Sequence, residues 1–421
     1  MKKILLITYY WPPSGGPGVQ RWLKFVKYLP QYGWQPTIIT TKDGDYPAYD
    51  ASLEADIPNT TKIIRTFTPK LSKLFSKISG NSSMPYGSLK ISDEKRWLNK
   101  VLIFIRLNFI VPDIRIIWNH FAYKAAYSRL LSSNFDLLVS TGPPHSTHLV
   151  AAKLVKKFRI KWLADFRDPW SNMGYIKSSN RFALTEYLDK RLEKKVVKNS
   201  NVITAVSQKI IDDFNNKEKI KLLRNGFDEA DFSQVTKKQS SHFNINYFGS
   251  LTNDTDPTII VEAINRLIKK GCEKLALNFW GKHSLQIKEK ILSLDTYNII
   301  KFMGFLPHSK VLEEMVNSQL LLLIINKVKN NEGILTGKIF EYLGSKNPIL
   351  GIGPERGEAA EILRETGFGE MFDYNDNSAI ENYIENLFDN WKKGNTWSPP
   401  HNSYLRYSRK QLTKKLVQII K

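Results

Sequence analysis

The residues best suited to chemistry lie in the stretch Glu332-Gly333-Ile334-Leu335-Thr336-Gly337-Lys338-Ile339-Phe340-Glu341. An apolar run at 320–325 precedes it and reads as a buried strand, while Gly344 and Pro348 stop the short helix that follows. Thr336 and Gly337 sit where a helix start leaves backbone amides free for phosphate oxygens. Lys338 and Glu341 are three residues apart and so share one helix face. A cation beside phosphate, with a carboxylate accepting from hydroxyls, suits a sugar carried on a nucleoside diphosphate. The same two residues also suit an ordinary ion pair within the helix.

Other groups could serve chemistry elsewhere. Ser14-Gly15-Gly16-Pro17-Gly18 joins a first strand to a first helix, where Gly15, Gly16 and Gly18 let the backbone approach an anion and Arg21 adds charge one turn later. It is not GxGxxG, so the dinucleotide fingerprint is absent, and a structural turn accounts for it equally well. Asp165-Phe166-Arg167-Asp168-Pro169-Trp170 leaves the end of a parallel strand, where open α/β sheets place their sites. Arg167 reads there as an anion contact or as an internal salt-bridge partner. Thr141-Gly142-Pro143-Pro144-His145 also follows a strand, and His145 reads as a donor or acceptor to a substrate hydroxyl or as a helix-start residue with a local partner. Asp254-Thr255-Asp256 has the DxD form of a Mn²⁺ or Mg²⁺ site, but Asp256 before Pro257 reads better as a helix cap.

These groups need a scaffold, and the hydropathy pattern supplies one. Apolar strands at 4–8, 37–40, 136–140, 162–165 and 202–206 alternate with helical periodicities such as Val19, Trp22, Leu23, Val26 and Leu29. The pattern restarts near Phe243, with strands at 245–248, 275–280, 300–302 and 320–325 and an amphipathic helix at 259–267. Strands separated by helices imply parallel sheets covered on both faces. Two α/β domains are therefore expected, 1–235 and 236–402, joined through the polar junction 231–241. The amphipathic stretch 404–420 is left over.

Composition narrows the class. The chain has 421 residues, enough for about two or three domains at roughly 150 residues each. A hydrophobic content of 42% excludes a wholly disordered chain. A single cysteine, Cys272, excludes an internal disulfide framework, and the seven histidines form no HExxH. The formal charge of +22 favours anionic partners: sugar phosphates, an anionic membrane face or nucleic acid. No RNA-recognition or helix-turn-helix signature accompanies that charge, so no specific nucleic acid is expected. Segment 62–130 holds 13 Lys/Arg against 3 Asp/Glu. Within it Trp97, Leu98, Val101, Leu102, Ile105 and Phe109 share a helical face near Lys95, Arg96, Lys100 and Arg106. That pattern suits either an interfacial helix on anionic lipid or a core-facing helix with a solvated basic side. The start Met1-Lys2-Lys3 leads into a strand instead of a signal peptide, and no apolar run reaches the about 18 residues of a spanning helix.

The motif Lys338-x-x-Glu341-Tyr342-Leu343 with Asn347-Pro348 resembles the donor-binding motif of the GT-B glycosyltransferases, in their retaining family four, many of which build bacterial surface polysaccharides. Supporting pieces follow in order over nearly the whole chain: the Gly15–Gly18 loop, Arg224-Asn225-Gly226-Phe227-Asp228, Phe248-Gly249-Ser250-Leu251, and Met303-Gly304-Phe305-Leu306-Pro307-His308. The resemblance implies two Rossmann-like domains facing a cleft, with the C-terminal stretch 403–421 packing back on the first. It also implies a nucleotide-diphosphate-sugar donor, a glycan or lipid-linked acceptor, retention, and no metal cofactor. Lys338 would then face the diphosphate, Glu341 the ribose, and Gly304, Phe305 and Leu306 the base. Gly249, Ser250, Thr336 and Gly337 would line the donor, and Asp165 would face the donor sugar and acceptor. Two departures stand out. Glu332 lies nine positions before Glu341, one more than the family spacing, and Gly333 holds the position that would keep it. Ser250 stands where the family often carries a phosphate-binding arginine. A cytoplasmic enzyme, peripheral on the inner face of the plasma membrane, is the expected setting. A sugar-nucleotide epimerase or hydrolase on the same fold, and a non-enzymatic anion-binding protein, are the rival readings.

Overall fold

A computed structural model describes residues 1–46, 48–70, 96–172, 181–215, 217–233, 235–328 and 330–421, with the side chains of 17, 96–100 and 102 excepted. The expectations for Lys95, and for the side chains of Arg96, Trp97, Leu98, Lys100 and Leu102, therefore lie outside what is described. The chain divides into two units, Met1–Arg224 with Leu412–Lys421, and Asn225–Gln411.

The first unit is built on a seven-stranded parallel sheet, ordered β3-β2-β1-β4-β5-β6-β7. Its strands are β1 (Lys2–Ile7), β2 (Trp34–Thr41), β3 (Lys62–Thr66), β4 (Leu137–Gly142), β5 (Trp162–Phe166), β6 (Val202–Ala205) and β7 (Ile220–Leu222). The helices used below are α1 (Pro17–Tyr28), α2 (Arg96–Phe109), α3 (Asn119–Ser132), α4 (Ser146–Phe158) and α5 (Ala183–Asn199). Every residue of β4 and β5 is buried. That is why these strands are apolar runs without alternation: helices cover both faces. The order reverses between β1 and β4, which pair in register from Ile4 against Leu137 to Ile7 against Ser140.

A six-stranded parallel sheet forms the second unit, ordered β10-β9-β8-β11-β12-β13. Its strands are β8 (Phe243–Phe248), β9 (Leu275–Trp280), β10 (Ile300–Gly304), β11 (Leu320–Ile324), β12 (Ile349–Ile352) and β13 (Gly369–Phe372). They alternate with α6 (Glu229–Phe232), α7 (Thr258–Lys269), α8 (Leu285–Leu294), α9 (His308–Asn317), α10 (Lys338–Ser345), α11 (Glu358–Thr366) and α12 (Asn377–Lys392), and α13 (Arg409–Ile420) closes the chain. Here the order reverses between β8 and β11.

The division falls at Arg224/Asn225, eleven residues before the expected junction. The reason is packing: Phe227 is buried with Tyr342, Leu343 and Tyr404, and α6 lies against α9 and α10. Likewise the returning C-terminal segment starts at Leu412, not 403, because Tyr404 and Tyr407 belong to the core of the second unit. Leu412, Leu416, Val417 and Ile420 bury into the first unit beside Ile4, Leu6, Val26 and Leu163. Lys161 Nζ donates to the Ile420 carbonyl at 3.1 Å and ties that end down.

Leu416 is 1% exposed. Its truncation, Leu416→Ala, leaves a cavity in the first unit and is expected to cost about 2–5 kcal/mol. Urea unfolding followed by tryptophan fluorescence measures this; a loss below ~1 kcal/mol would mean the C-terminal segment adds little to that core.

Candidate functional site

In open parallel sheets ligands gather beyond the strand carboxyl ends, at the reversal of strand order. Both reversals here carry the residues singled out by the sequence. In the second unit, β8 ends in Phe248-Gly249-Ser250 beside β11, and the Thr336–Lys338 turn opens α10 on the same edge. Lys338 does not pair with Glu341. Its ammonium donates to the Tyr247 hydroxyl at 2.9 Å and lies 4.3 Å from the centre of that ring. The Tyr247 hydroxyl in turn donates to the Ser250 carbonyl at 3.2 Å. Gly249 makes this crossing possible, because a Cβ there would stand 2.4 Å from Lys338 Nζ. Its φ of 139° also lies in the region that favours glycine.

Glu341 turns to the other side, where His308 Nε2 at the start of α9 donates to its Oε1 at 3.0 Å. One face of α10 thus carries two anchored charges, a lysine resting on a neutral phenol and a glutamate held by an imidazole. Two residues before Lys338, Thr336 Oγ1 is buried without a hydrogen-bond partner. An unused buried hydroxyl at a helix start is uncommon in a finished core and common at a ligand site. Gly304 closes β10 with φ 74°; Phe305 after it is 72% exposed, whereas Leu306 leans onto the core of the second unit and serves packing. Glu332 lies exposed in the single turn Asn331–Gly333 that follows β11.

Asp256 behaves as a capping group. Its Oδ1 accepts from the Thr258 amide at 3.0 Å and the Thr258 hydroxyl at 2.5 Å, and Oδ2 pairs with Lys290 at 2.6 Å. The helix begins one residue later than expected, at Thr258. These partners hold the Asp256 carboxyl below its ordinary range despite its partial burial.

In the first unit the structure corrects four expectations. Asp165 does not face a ligand. It is wholly buried, and five donors saturate it: Arg21 Nε and Nη2, the Trp22 indole at 2.8 Å, Thr141 Oγ1 at 2.9 Å and Thr204 Oγ1 at 2.7 Å. Arg21 is no anion contact either, since the rest of its fork binds the carbonyls of Leu223 and Arg224. Arg167 spends its guanidinium on the carbonyls of Gly18, Gly142 and Pro143. Gly18 is therefore a glycine because Arg167 crosses it, a Cβ there falling 2.2 Å from Nη1.

His145 is the fourth. It is stacked on Trp170 at 5.0 Å and packed against His148 and Phe166, with Nε2 on the Pro169 carbonyl at 3.2 Å. It has no access to an acceptor hydroxyl, and burial keeps it neutral by pushing its pKa well below the ordinary value. His148, which the sequence reading passed over, is pushed to about 3 by the same burial. In the glycine loop, the Gly15 amide is taken by the Ala48 carbonyl at 2.8 Å, while Gly16 caps α1 with φ 101° and an open Cβ direction. What sequence reasoning missed were the partners Tyr247, His308, Trp22, Thr141 and Thr204, none of which lies near its mate in the chain.

Two Rossmann-like parallel-sheet units, with seven and six strands, make this a GT-B fold. Crystal structures agree in architecture. HepE from Anabaena in complex with UDP and glucose is 13% identical with a TM-score of 0.60, each chain being covered to 99%. A glycosyltransferase from Rickettsia africae is 15% identical at 0.59, over 100% of this chain and 97% of that one. A putative UDP-N-acetylglucosamine 2-epimerase from Listeria monocytogenes is 12% identical at 0.56, over 100% and 96%. No family model and no curated protein matches by sequence.

The buried network makes an acid-stability prediction. Arg21 and the other three hydrogen bonds outweigh desolvation and hold Asp165 down to about 2. A lowered carboxylate pKa gives stability that is complete above the unfolded value near 3.9 and fades between about 4 and 2. His148 shares the sign: its depressed pKa gives full stability above about 6.5, eroding as pH falls toward 3. Stability should therefore drop from about pH 6.5 downward, by up to ~1.4 kcal/mol per unit for each group while it titrates. Asp165→Asn should cost about 3–5 kcal/mol at pH 7 by leaving Arg21 buried and unpaired. Denaturant titrations at a series of pH values test both; a flat profile, or a mild Asp165→Asn, contradicts the network.

Proposed function

We propose that the chain is a glycosyltransferase that moves a sugar from a nucleoside-diphosphate donor to an acceptor hydroxyl. The observation that carries this is the unspent polarity at the α10 start: Thr336 Oγ1 buried without a partner, and Lys338 held over Gly249 by a phenol instead of a carboxylate. A diphosphate supplies both with what they lack, and the helix N-terminus adds its own attraction. Glu341, oriented by His308, accepts from the ribose hydroxyls, and the exposed Phe305 offers a ring to the base. Glu332, four residues before this turn, serves the donor sugar. The similarity of the fold to HepE, crystallised with UDP and glucose, supports the same reading.

The reaction proceeds with retention. Asp165 and His145 are both sealed in the interior, so neither serves as a general base; the departing phosphate takes the acceptor proton instead. Catalysis then rests on stabilising diphosphate charge and aligning the two reactants. No metal is required, since Asp256 is spent on Thr258 and Lys290 and the charge falls to Lys338 and backbone amides.

A thermal-shift panel of UDP, GDP, ADP and UDP-glucose tests the site. One nucleotide should stabilise the protein, by ~2.7 kcal/mol at about 100 times its Kd. Lys338→Ala and Glu341→Ala should abolish the shift while leaving the unliganded midpoint within about 2 °C of the parent. No shift with any nucleotide rejects the proposal. A nucleotide sugar epimerised without any acceptor would favour the second reading, for which the Listeria structure is a precedent in fold.

The acceptor is a glycan or a lipid-linked glycan in surface-polysaccharide assembly, worked on at the cytoplasmic face of the plasma membrane. Among the described residues no helix is long and apolar enough to cross a bilayer. Helix α2, however, is moored by its polar side: Asn108 Oδ1 accepts from the Phe182 amide at 2.6 Å, and Thr185 Oγ1 donates to the Asn108 carbonyl at 2.8 Å. Val101, Phe104, Ile105 and Phe109 are consequently exposed, against the core-facing alternative. Leu184, Tyr187 and Leu188 extend the apolar surface along α5, with the exposed Arg191 on the same stripe. Such a surface suits shallow insertion among anionic headgroups. The protein should sediment with vesicles containing anionic lipid, and Phe109→Ser with Leu184→Ser should release it. Equal recovery with neutral and anionic vesicles would remove the membrane from the account.

A further inference from the structure

The second unit has another concavity, at the opposite end of its sheet from the donor site. A pocket of about 950 Å³ lies at the amino ends of β8, β11 and β12, where Phe243, Gln319 and Pro348 line it. Strand β8 separates it from Gly249 by roughly 20 Å, taking about 3.3 Å per residue. The volume is at the large end of small-molecule sites, ~300–1,000 Å³. One wall is the connection through Lys237–Ser241; the other is the last turn of α12 and the chain through Trp397.

The lining has a definite chemistry. Trp391 and Trp397 are both half-buried, fixed by edge contacts to Phe243 at 5.8 Å and Phe368 at 5.3 Å. Each is a rigid apolar face with an N–H at its edge. Amide and hydroxyl groups surround them: Asn390, Asn395 and Thr396 on one wall, and Ser240 on the other. Among the described residues no carboxylate lines the pocket. The two lysines turn to protein oxygens: Lys237 Nζ rests on Asn347 Oδ1 at 2.6 Å, and Lys238 Nζ pairs with Glu313 at 2.9 Å. Moreover α12 ends here, and the carbonyl end of a helix repels negative charge.

We propose that this pocket binds a neutral oligosaccharide, separately from the donor. A sugar ring is amphipathic in the sense the lining demands: its C–H face covers an indole, and its hydroxyls both donate and accept toward amides and serines. Inorganic phosphate lacks that match, having no apolar face to lay on an indole. The site holds a length of glycan by the body of the second unit, which raises the local concentration of any chain-borne hydroxyl near the enzyme. It does not depend on the transferase reading.

The test uses the full chain with maltohexaose, cellohexaose and chitohexaose, each titrated by calorimetry with and without saturating UDP, and with inorganic phosphate as a separate ligand. At least one hexasaccharide should bind, with the same affinity in the presence of UDP. Trp397→Ala should weaken it about tenfold or more. Since Trp397 also packs on Phe368, the exposed position Thr396 provides a second variant: Thr396→Trp fills the pocket without removing a contact and should weaken binding equally. Absence of binding by all three sugars, displacement of the sugar by UDP, undiminished affinity in Thr396→Trp, or binding of phosphate in place of sugar each overturns the proposal. Failure of UDP itself to bind would sink the donor site and leave this one standing.

Discussion

A parallel sheet covered by helices on both faces has nowhere to put polar chemistry except at the ends of its strands. That constraint organises both units. β4, β5 and β11 are buried along their whole length, so their side chains meet only other protein groups. The backbone groups and charged residues available to a ligand are those in the turns beyond the carboxyl ends, where the strand order reverses and neighbouring loops part. Glycines cluster there for the same reason: Gly16, Gly249 and Gly304 all adopt positive φ.

The two units use that position in opposite ways. In the first, the charges at the strand ends are consumed by the protein. Asp165 collects five donors, Arg21 adds two carbonyls, and Arg167 clamps three more across the Gly18 turn. A fully satisfied buried pair gives rigidity and a fixed loop geometry but offers nothing to a substrate. In the second, Lys338 is held by a neutral phenol, and the Thr336 hydroxyl beside it at the α10 start is buried without a partner. The contrast matters because both constellations look alike as residue types. Burial and partner count separate a scaffold from a site.

Much of this architecture was legible from periodicity, and what was not has physical reasons. The long, fully buried strands stood out as apolar runs. β3 did not: it is an edge strand with half-exposed residues, Lys62-Ile63-Ile64-Arg65-Thr66. β12 is four residues with Gly351 inside it, where Met371 Sδ would stand 2.7 Å from a Cβ, so close packing hid the strand's character. Lys338 and Glu341 were legible as charges on one helix face, because three-residue spacing is a local fact. The role of Asp165 was not, for Arg21 lies 144 positions away and no local pattern announces the bond. The same holds for His308, visible in its turn but without the partner that gives it a purpose.

Ser250 brings no charge to the end of β8, and the cation that reaches it is Lys338. An arginine brings a rigid fork to phosphate, whereas lysine is a point charge on a flexible stem and needs something to hold it in place. Tyr247 does so: the ring faces the ammonium, the hydroxyl accepts from it, and that hydroxyl is itself fixed by the Ser250 carbonyl. The hold is of a kind that can be released, because a neutral phenol competes weakly with a diphosphate where a carboxylate would compete strongly. Gly249 then has two duties, to let the backbone turn and to leave the path of the lysine empty. Any side chain at 249 would push the cation off the strand end. The cation, the phenol and the glycine are therefore one device, and a change at any of the three should be felt at the others.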